Sequence, residues 1–346
     1  MANAAPKEIR LIFNQTAPYY KQLIAHISAL VDKGKLLPGD LLPSMNVLSR
    51  ELGISSETVK KAYNLLRQEG IIEAAHGIGF HIAEKKDLQR VLLLFDKIST
   101  YKQVLLQSFL SHAGAKTHPT IRLHNQDIDL FEQFVTDNLD RYDYFLITPH
   151  FAQTPEVQER VVKILKKIPN RKLILADRLV AGLPGNFGAV YQDFEADAYI
   201  GLTQCTSLLK KYRKLNLISM PGSLYAPMIR KSVKKFCHEN NIELELHQAI
   251  TPKLIRKNEA FFILNSQLDA ELIALVRIAK EKCYEIGKDI GILSYNEAPI
   301  NEIILNGLSV VSTDFVEMGR LAAEMIRSRE MKKIKCRFNF IGRSSF

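Results

Sequence analysis

"LGISSETVKKAYNLLRQEG", residues 52–70, decides how the first part of the chain is read. A glycine and a pair of serines precede a run in which Val59, Ala62, Tyr63, Leu65 and Leu66 recur at helical spacing, and Gly70 follows. Ser55 or Ser56 can accept from the first free backbone N–H groups, so the stretch predicts a short loop, a capped helix and a stop. Its outward face carries Ser56, Lys60 and Lys61. Such a face is either the solvated side of an amphipathic helix or a reader of DNA, and the neighbouring segments must decide.

Upstream, "PYYKQLIAHISALVDKG" (residues 18–34) places Tyr20, Leu23, Ile24, Ile27 and Val31 on one helical face and ends in Gly34. The turn "LLPGDLLPS" follows, and its Ser44 can cap a second helix from Met45 to Leu52. Three helices with a tight turn between the last two predict a helix-turn-helix. Downstream, "IIEAAHGIGFHIA" (residues 71–83) has apolar, strand-forming ends around His76, Gly77 and Gly79, as in a β-hairpin or wing. The charged "EKKDLQR" (residues 84–90) is read as a linker.

From residue 91 the texture changes to apolar strand runs alternating with helix-length segments. The runs are 91–95, 120–125, 142–148, 172–177, 215–220, 242–247, 260–265, 290–295 and 308–313; the segments include 156–168, 194–212, 226–240 and 270–286. Repeated βαβ units predict parallel sheets covered on both faces. Nine runs are too many for one sheet of ordinary size, so two similar α/β lobes with a ligand cleft at the carboxyl ends of their strands are expected.

Bulk properties bound the function. The longest apolar runs fall far short of the roughly 18 residues a membrane span needs, and the first residues lack a basic region followed by an apolar core. A cytoplasmic protein with no membrane partner is expected. Cys205, Cys237, Cys283 and Cys336 form no C-x-x-C pair, and His112, His118 and His124 repeat every six residues, which suits no ligand geometry. No metal and no cofactor are expected. The net charge of +10 suits a nucleic-acid partner, yet residues 1–90 hold 12 Lys and Arg against 9 Asp and Glu, so charge alone does not single out the head.

In order and spacing, "LPGD.LPS", "ELGIS..TV..AY..L..EG" and the "HG.G" wing make residues 8–83 resemble the winged helix-turn-helix of GntR-family transcription regulators. The chain departs from the common pattern at Met45 and Asn46, after the Ser of the turn, and at Ser56, where an Arg is frequent. Those departures weigh against the usual direct guanine contact. Residues 91–346 resemble the sugar-binding domain of LacI-type regulators, which has the periplasmic-binding-protein fold. The matching pieces are "LILADR…VYQDFEADAYIG", "PGSLYAPMIRKSVKKF", "FFILNSQLDAELI", "IGILSYNEAP" and "LSVVSTDFVEMGRLAAEMI…GRSS". Within this group "YDYFLITPHF" and "VYQDFE" look like regulators that respond to fucose or arabinose.

The resemblance therefore implies an α+β winged helix-turn-helix domain (1–83), a linker (84–90) and an α/β two-lobed effector-binding and dimerisation domain (91–346). It also implies a repressor of double-stranded operator DNA, acting as a homodimer and controlled by a small sugar. Candidate DNA-binding residues are Ser44, Asn46, Arg50, Ser55, Ser56, Thr58, Lys60, Lys61, His76 and Gly77. A helix N-terminus offers N–H groups and positive dipole to phosphate, and side chains early in the recognition helix reach base edges. Candidate sugar ligands at strand ends are Asp96, His150, Phe151, Asp177, Arg178, Gln192, Asp193, Arg230, Asn265 and Asn296. Sugar hydroxyls need such polar groups and an aromatic face. Structural roles remain open for several: Asp177 with Arg178 as an ion pair, Asp193 as a helix cap, Phe151 as core. The rival reading is a sugar-processing or cofactor-binding enzyme with an accessory DNA-binding head. Against it, "GLPGNFG" (182–188) leads into "AVYQD" rather than a helix, and neither G-x-S-x-G nor H-E-x-x-H occurs.

Overall fold

The computed structural model describes residues 6–14, 17–75, 79–83, 88–219, 222–264 and 270–346, and the chain divides into two units, residues 1–88 and 89–346. In the first, α1 (Tyr19–Asp32) buries Leu23 and Ile27. Ser44 Oγ accepts from the Val47 N–H at 3.4 Å and starts α2 (Met45–Leu52). Gly53, at φ +64°, makes the left-handed turn that a residue with a Cβ enters only at a cost. Ser55 then caps α3 (Ser56–Gln68), accepting from the Thr58 N–H at 3.1 Å. The wing is antiparallel, β1 (Ile72–Ala75) against β2 (Gly79–Ile82), with Ile72 opposite Ile82.

Tyr63 ties these parts together. Its ring is fully buried, lies 4.9 Å edge-on to Phe80 of the wing, and its hydroxyl donates to the Pro43 carbonyl at 2.9 Å. Leu23, Ile27, Leu48, Val59, Leu66 and Ile72 close around it. Burying a side chain of this size contributes roughly 1.5–3 kcal/mol.

The second unit builds its first lobe from β3 (Gln89–Phe95), α4 (Thr100–Ala113), β4 (Thr117–Leu123), α5 (Ile128–Thr136), β5 (Tyr144–Ile147), α6 (Pro155–Leu165), β6 (Leu173–Asp177) and β7 (Gly188–Tyr191). The second lobe holds α7 (Asp197–Gln204), α8 (Thr206–Leu209), β8 (Lys214–Ile218), α9 (Ala226–Glu239), β9 (Glu243–His247), β10 (Glu259–Ile263), α10 (Ala270–Glu281), β11 (Ile290–Tyr295) and β12 (Ser309–Thr313). The chain then returns to the first lobe as α11 (Phe315–Ser328) and β13 (Lys333–Lys335), and ends in the second as β14 (Phe338–Ile341).

The two sheets repeat one topology. The orders are β4-β3-β5-β6-β7-β13 and β9-β8-β10-β11-β12-β14, so β6 and β11 occupy equivalent places. All the pairings are parallel except β14 on β12. Parallel strands covered on both faces read as unbroken apolar runs, which is why Val91 to Phe95 is buried throughout. Three segments cross between the lobes, and they bond to one another: Cys336 N–H donates to Tyr191 O at 2.8 Å and Asp314 N–H to Arg337 O at 3.0 Å.

Several expectations need correcting. Gln89 and Arg90, read as linker, pair in β3 with Thr117 and His118, because the strand extends to meet β4. The helix anticipated over 194–212 starts only at Asp197 and breaks at Cys205, whose backbone (φ −112°, ψ 18°) leaves the helical region. The sheets are not wholly parallel, since β14 runs antiparallel. Cys205, Cys237 and Cys336 are buried thiols whose pKa burial pushes up to about 12, and Cys283 is exposed. Among the described residues no helix is long and apolar enough to cross a membrane.

Candidate nucleic-acid interface and ligand cleft

In the head, the N-terminus of α3 is tied to the second half of α2, because Ser56 Oγ donates to Ser49 Oγ at 3.4 Å. Ser44, Asn46, Arg50, Ser55, Ser56, Lys60 and Lys61 are all exposed, and Thr58 is half-buried. Their engagements differ. Ser44 and Ser55 are caps, and Thr58 Oγ1 stands 2.8 Å from Ser55 Oγ, so these side chains order the helix starts. Lys60 pairs with Glu57 at 3.5 Å across one turn, an exposed bond of little strength. Lys61 lies 4.1 Å over the Tyr20 ring of α1, which holds its ammonium at the helix surface. Arg50 Nε donates to the Asn46 carbonyl at 3.4 Å. His76 and Gly77 lie outside the described residues.

In the second unit, the carboxyl end of the first lobe's sheet gathers a buried polar cluster. Asp177, the last residue of β6, is at its centre. His150 Nε2 stands 2.8 Å from its Oδ2, the Tyr101 hydroxyl donates to the same oxygen at 3.1 Å, and Gln192 donates to Oδ1. Gln192 in turn accepts from Thr313 Oγ1 of the second lobe at 3.0 Å. Burial alone would raise the Asp177 carboxyl; the His150 imidazole, Lys102 and the Gln192 amide outweigh it and hold its pKa down at about 2. Asp96, after β3, forms a buried ion pair with Lys102 and accepts from Thr148 Oγ1 at 3.0 Å. Burial opposes ionisation there too, but His150 and Lys102 keep that carboxyl below its ordinary range.

Asp177 does not pair with Arg178 as one reading of the sequence had it. Arg178 donates instead to Gln153 at 2.6 Å and Gln158 at 3.3 Å, with its guanidinium 5.5 Å from the centroid of the Tyr225 ring. Phe151 is corrected as well: it is core, stacked on His124 at 4.6 Å and packed against Phe131 at 5.1 Å. The aromatic face at the cleft belongs to Phe194 and Tyr225, stacked at 3.9 Å and 8°. Asp193 caps the turn into the second lobe, accepting from Glu195 and Ala196, and has Lys335 at 3.7 Å.

In the second lobe, Arg230 on α9 is half-buried and donates to Ser219 Oγ at 3.3 Å. Asn296 follows β11 at the place equivalent to Asp177, and both take positive φ, +72° and +73°. Left-handed backbone outside glycine is strained and clusters at functional sites. Asn296 Oδ1 is buried with no hydrogen-bond partner among the described residues, an acceptor open to a ligand hydroxyl. Asn265 lies outside the described residues.

Sequence reasoning missed Tyr101, Lys102, Phe194 and Tyr225. A signal existed for the first pair: they open the helix after β3, whose first turn stands over the strand end carrying Asp96. Tyr225 sits just before α9 with Pro227 in that helix's first turn, a loop position whose direction sequence does not reveal.

His124 gives a pH test of this lobe. It is fully buried, with Nε2 3.2 Å from the Thr148 carbonyl, and burial lowers its pKa to about 4. Between pH 6.5 and 4 the unfolded state binds the proton that the folded state refuses. Stability is therefore full above pH 6.5 and falls as pH drops toward 4, by roughly 3 kcal/mol. Urea midpoints of the second unit measured across that range should show this loss, and His124→Asn should flatten it.

Residues 19–82 match the model for "Bacterial regulatory proteins, gntR family", and residues 218–335 match that for a "Periplasmic binding protein-like domain". The HTH-type transcriptional repressor YtrA of Bacillus subtilis (strain 168) is 34% identical over 118 residues, which span 33% of this chain and 88% of YtrA. Among solved structures, the trehalose repressor from Escherichia coli superimposes with a TM-score of 0.58 at 15% identity, covering 73% of this chain and 99% of that one. The Lac repressor bound to ONPG gives a TM-score of 0.57 at 14% identity, covering 84% and 90%. At such identities the structural matches establish the fold of the second unit.

Proposed function

The chain belongs to the gntR family of bacterial regulatory proteins, and from that premise we propose that it is a transcriptional repressor whose operator affinity is set by a small sugar bound between the two sensor lobes. The observation that carries the sensing half is the meeting of polar strand ends from both lobes, with Asp177 and Asn296 at equivalent, strained positions. The acceptor Asn296 Oδ1, the half-buried Arg230 and the Phe194 ring supply what a sugar needs: hydroxyl partners and a flat face for its C–H side. Fucose and arabinose are the first sugars to try.

In the head, Ser56 and Asn46 face the major groove, while Arg50, Lys60 and Lys61 meet phosphate. The two wing residues His76 and Gly77 complete the set. A single head makes few charge contacts, so a homodimer on a palindrome about 34 Å in half-site spacing supplies the affinity. Ligand binding that favours one lobe arrangement shifts that dimer's fit to DNA.

The test joins two measurements. A thermal-shift screen of pentoses, hexoses, deoxyhexoses and their phosphates should return a sugar whose shift disappears in Arg230→Ala. If that variant responds like the parent, the pocket is elsewhere. In a gel shift, Lys60→Ala should weaken operator binding several-fold and lower the salt slope by about 1, as loss of one phosphate contact requires. Unchanged affinity removes Lys60 from the interface, and turnover of any bound sugar favours an enzyme instead.

A further inference from the structure

Tyr225 belongs to the second lobe, at the start of α9, but its hydroxyl reaches into the first. It stands 2.7 Å from His150 Nδ1, and the other imidazole nitrogen engages Asp177 at 2.8 Å. Its ring is stacked on Phe194 of the crossing segment, and the Arg178 guanidinium lies over it. The residue is 9% exposed, so this hydroxyl and ring are packed between the two lobes.

This arrangement reproduces the contacts a sugar makes. A hydroxyl occupies a polar partner at a strand end, and a flat face lies against an aromatic ring. Asp177 is likewise met by donors from within the chain, Tyr101, His150 and Gln192. A second hydroxyl cannot take the same His150 nitrogen while Tyr225 holds it.

We propose that Tyr225 is an internal ligand, which closes the lobes onto His150 and must be displaced by the effector. The proposal rests on the sensor reading above and sharpens it. The effector must carry a hydroxyl able to replace the phenol at His150 and an apolar face able to replace its ring on Phe194. Specificity then follows from competition, since a sugar lacking that hydroxyl leaves Tyr225 in place. The apparent affinity is lowered by the fraction of molecules that Tyr225 holds shut.

The second contribution of Tyr225 is mechanical. The His150 contact joins the two lobes beside the crossing segment that carries Phe194, so it biases the hinge as well as blocking the site. Loss of one hydrogen bond of this kind changes a two-state equilibrium by roughly tenfold.

The full-length protein provides the test. In a Cys283→Ser background the remaining native thiols are buried, so Glu156→Cys on α6 and Glu302→Cys in the second lobe accept spin labels selectively. Pulsed electron resonance without sugar should give a short inter-lobe distance for the parent. Tyr225→Phe, which keeps the ring, should enlarge the longer-distance population about tenfold, and Tyr225→Ala should make it dominant. Superimposable distance distributions for parent and Tyr225→Phe overturn the proposal, whatever becomes of the Ala variant.

Titration with L-arabinose, L-fucose, D-xylose and D-galactose adds a second arm. A sugar that shifts the parent should bind Tyr225→Phe about tenfold more tightly, because its competitor is gone. Weaker binding means the phenol is a direct effector contact, which also overturns the proposal. If none of these sugars shifts either protein, the sugar reading fails, while the distance measurements still decide the role of Tyr225.

Discussion

Tyr63→Ala should abolish operator binding while leaving the sensor folded. The substitution empties a fully buried ring position between α3, the turn before α2 and the wing, and large-to-small changes of this kind cost about 3–5 kcal/mol. It also leaves the buried Pro43 carbonyl without its donor, for which Tyr63→Phe, expected to cost roughly 1–3 kcal/mol, is the control. A unit of 88 residues has total stability of about the size of the first loss, whereas the sensor has its own separate cores. Calorimetry on the full chain should show the head's transition lowered or lost in Tyr63→Ala, with the sensor's transition unmoved. A head transition within a degree of the parent's would mean that the wing and helices do not share this core.

Asp177→Ala should be the most damaging single change in the sensor. It leaves His150, Tyr101 and Gln192 without their common acceptor, and removing one partner from a buried charged network costs about 3–5 kcal/mol. Alanine also tolerates the φ of +73° less well than Asp or Asn, so the backbone adds its own penalty. For a unit of this size the melting temperature should fall by roughly 10 °C. Asp177→Asn keeps the shape and the strained backbone and should lose less. The sign of the pH effect is fixed by the depressed pKa of about 2. The stabilisation is complete above the unfolded value near 4 and is lost as pH falls from there toward 2. Acid unfolding of Asp177→Asn should therefore lose the part of the parent's pH dependence that lies in that window, and identical acid profiles would remove Asp177 from the network.

Local rules made the head legible. Ser44 and Ser55 stand where capping chemistry puts them, α2 spans the anticipated residues, and the apolar spacing of α3 matches its buried face. The long parallel strands were legible for a related reason, since burial on both faces leaves runs such as Val91 to Phe95 with no polar interruption. The elements that escaped notice depend on distant partners. β13 and β14 are three and four residues long and exist because β7 and β12 offer free edges. Helix α4 buries Lys102 and Ser108 beside Leu105 and Phe109, which blurs its periodicity because it is enclosed between the sheet and α11.

The candidate site residues divide along the same line. That Asp96, His150, Asp177, Gln192 and Asn296 fall at strand ends follows from sequence, because in a βαβ chain the residue after an apolar run has nowhere else to be. Whether each faces a ligand, a neighbour or the core depends on what else arrives there. Phe151 meets His124 and Phe131 and becomes core; Arg178 finds two glutamines rather than Asp177; Tyr225 crosses from the other lobe to take His150. Sequence alone thus determined the locally encoded elements and the residues at their ends, since capping, periodicity and burial act over a few neighbours. Tertiary structure decided their partners, because a hydrogen bond between residues 150 and 225 is set by two lobes folding against each other, and no local pattern encodes that distance.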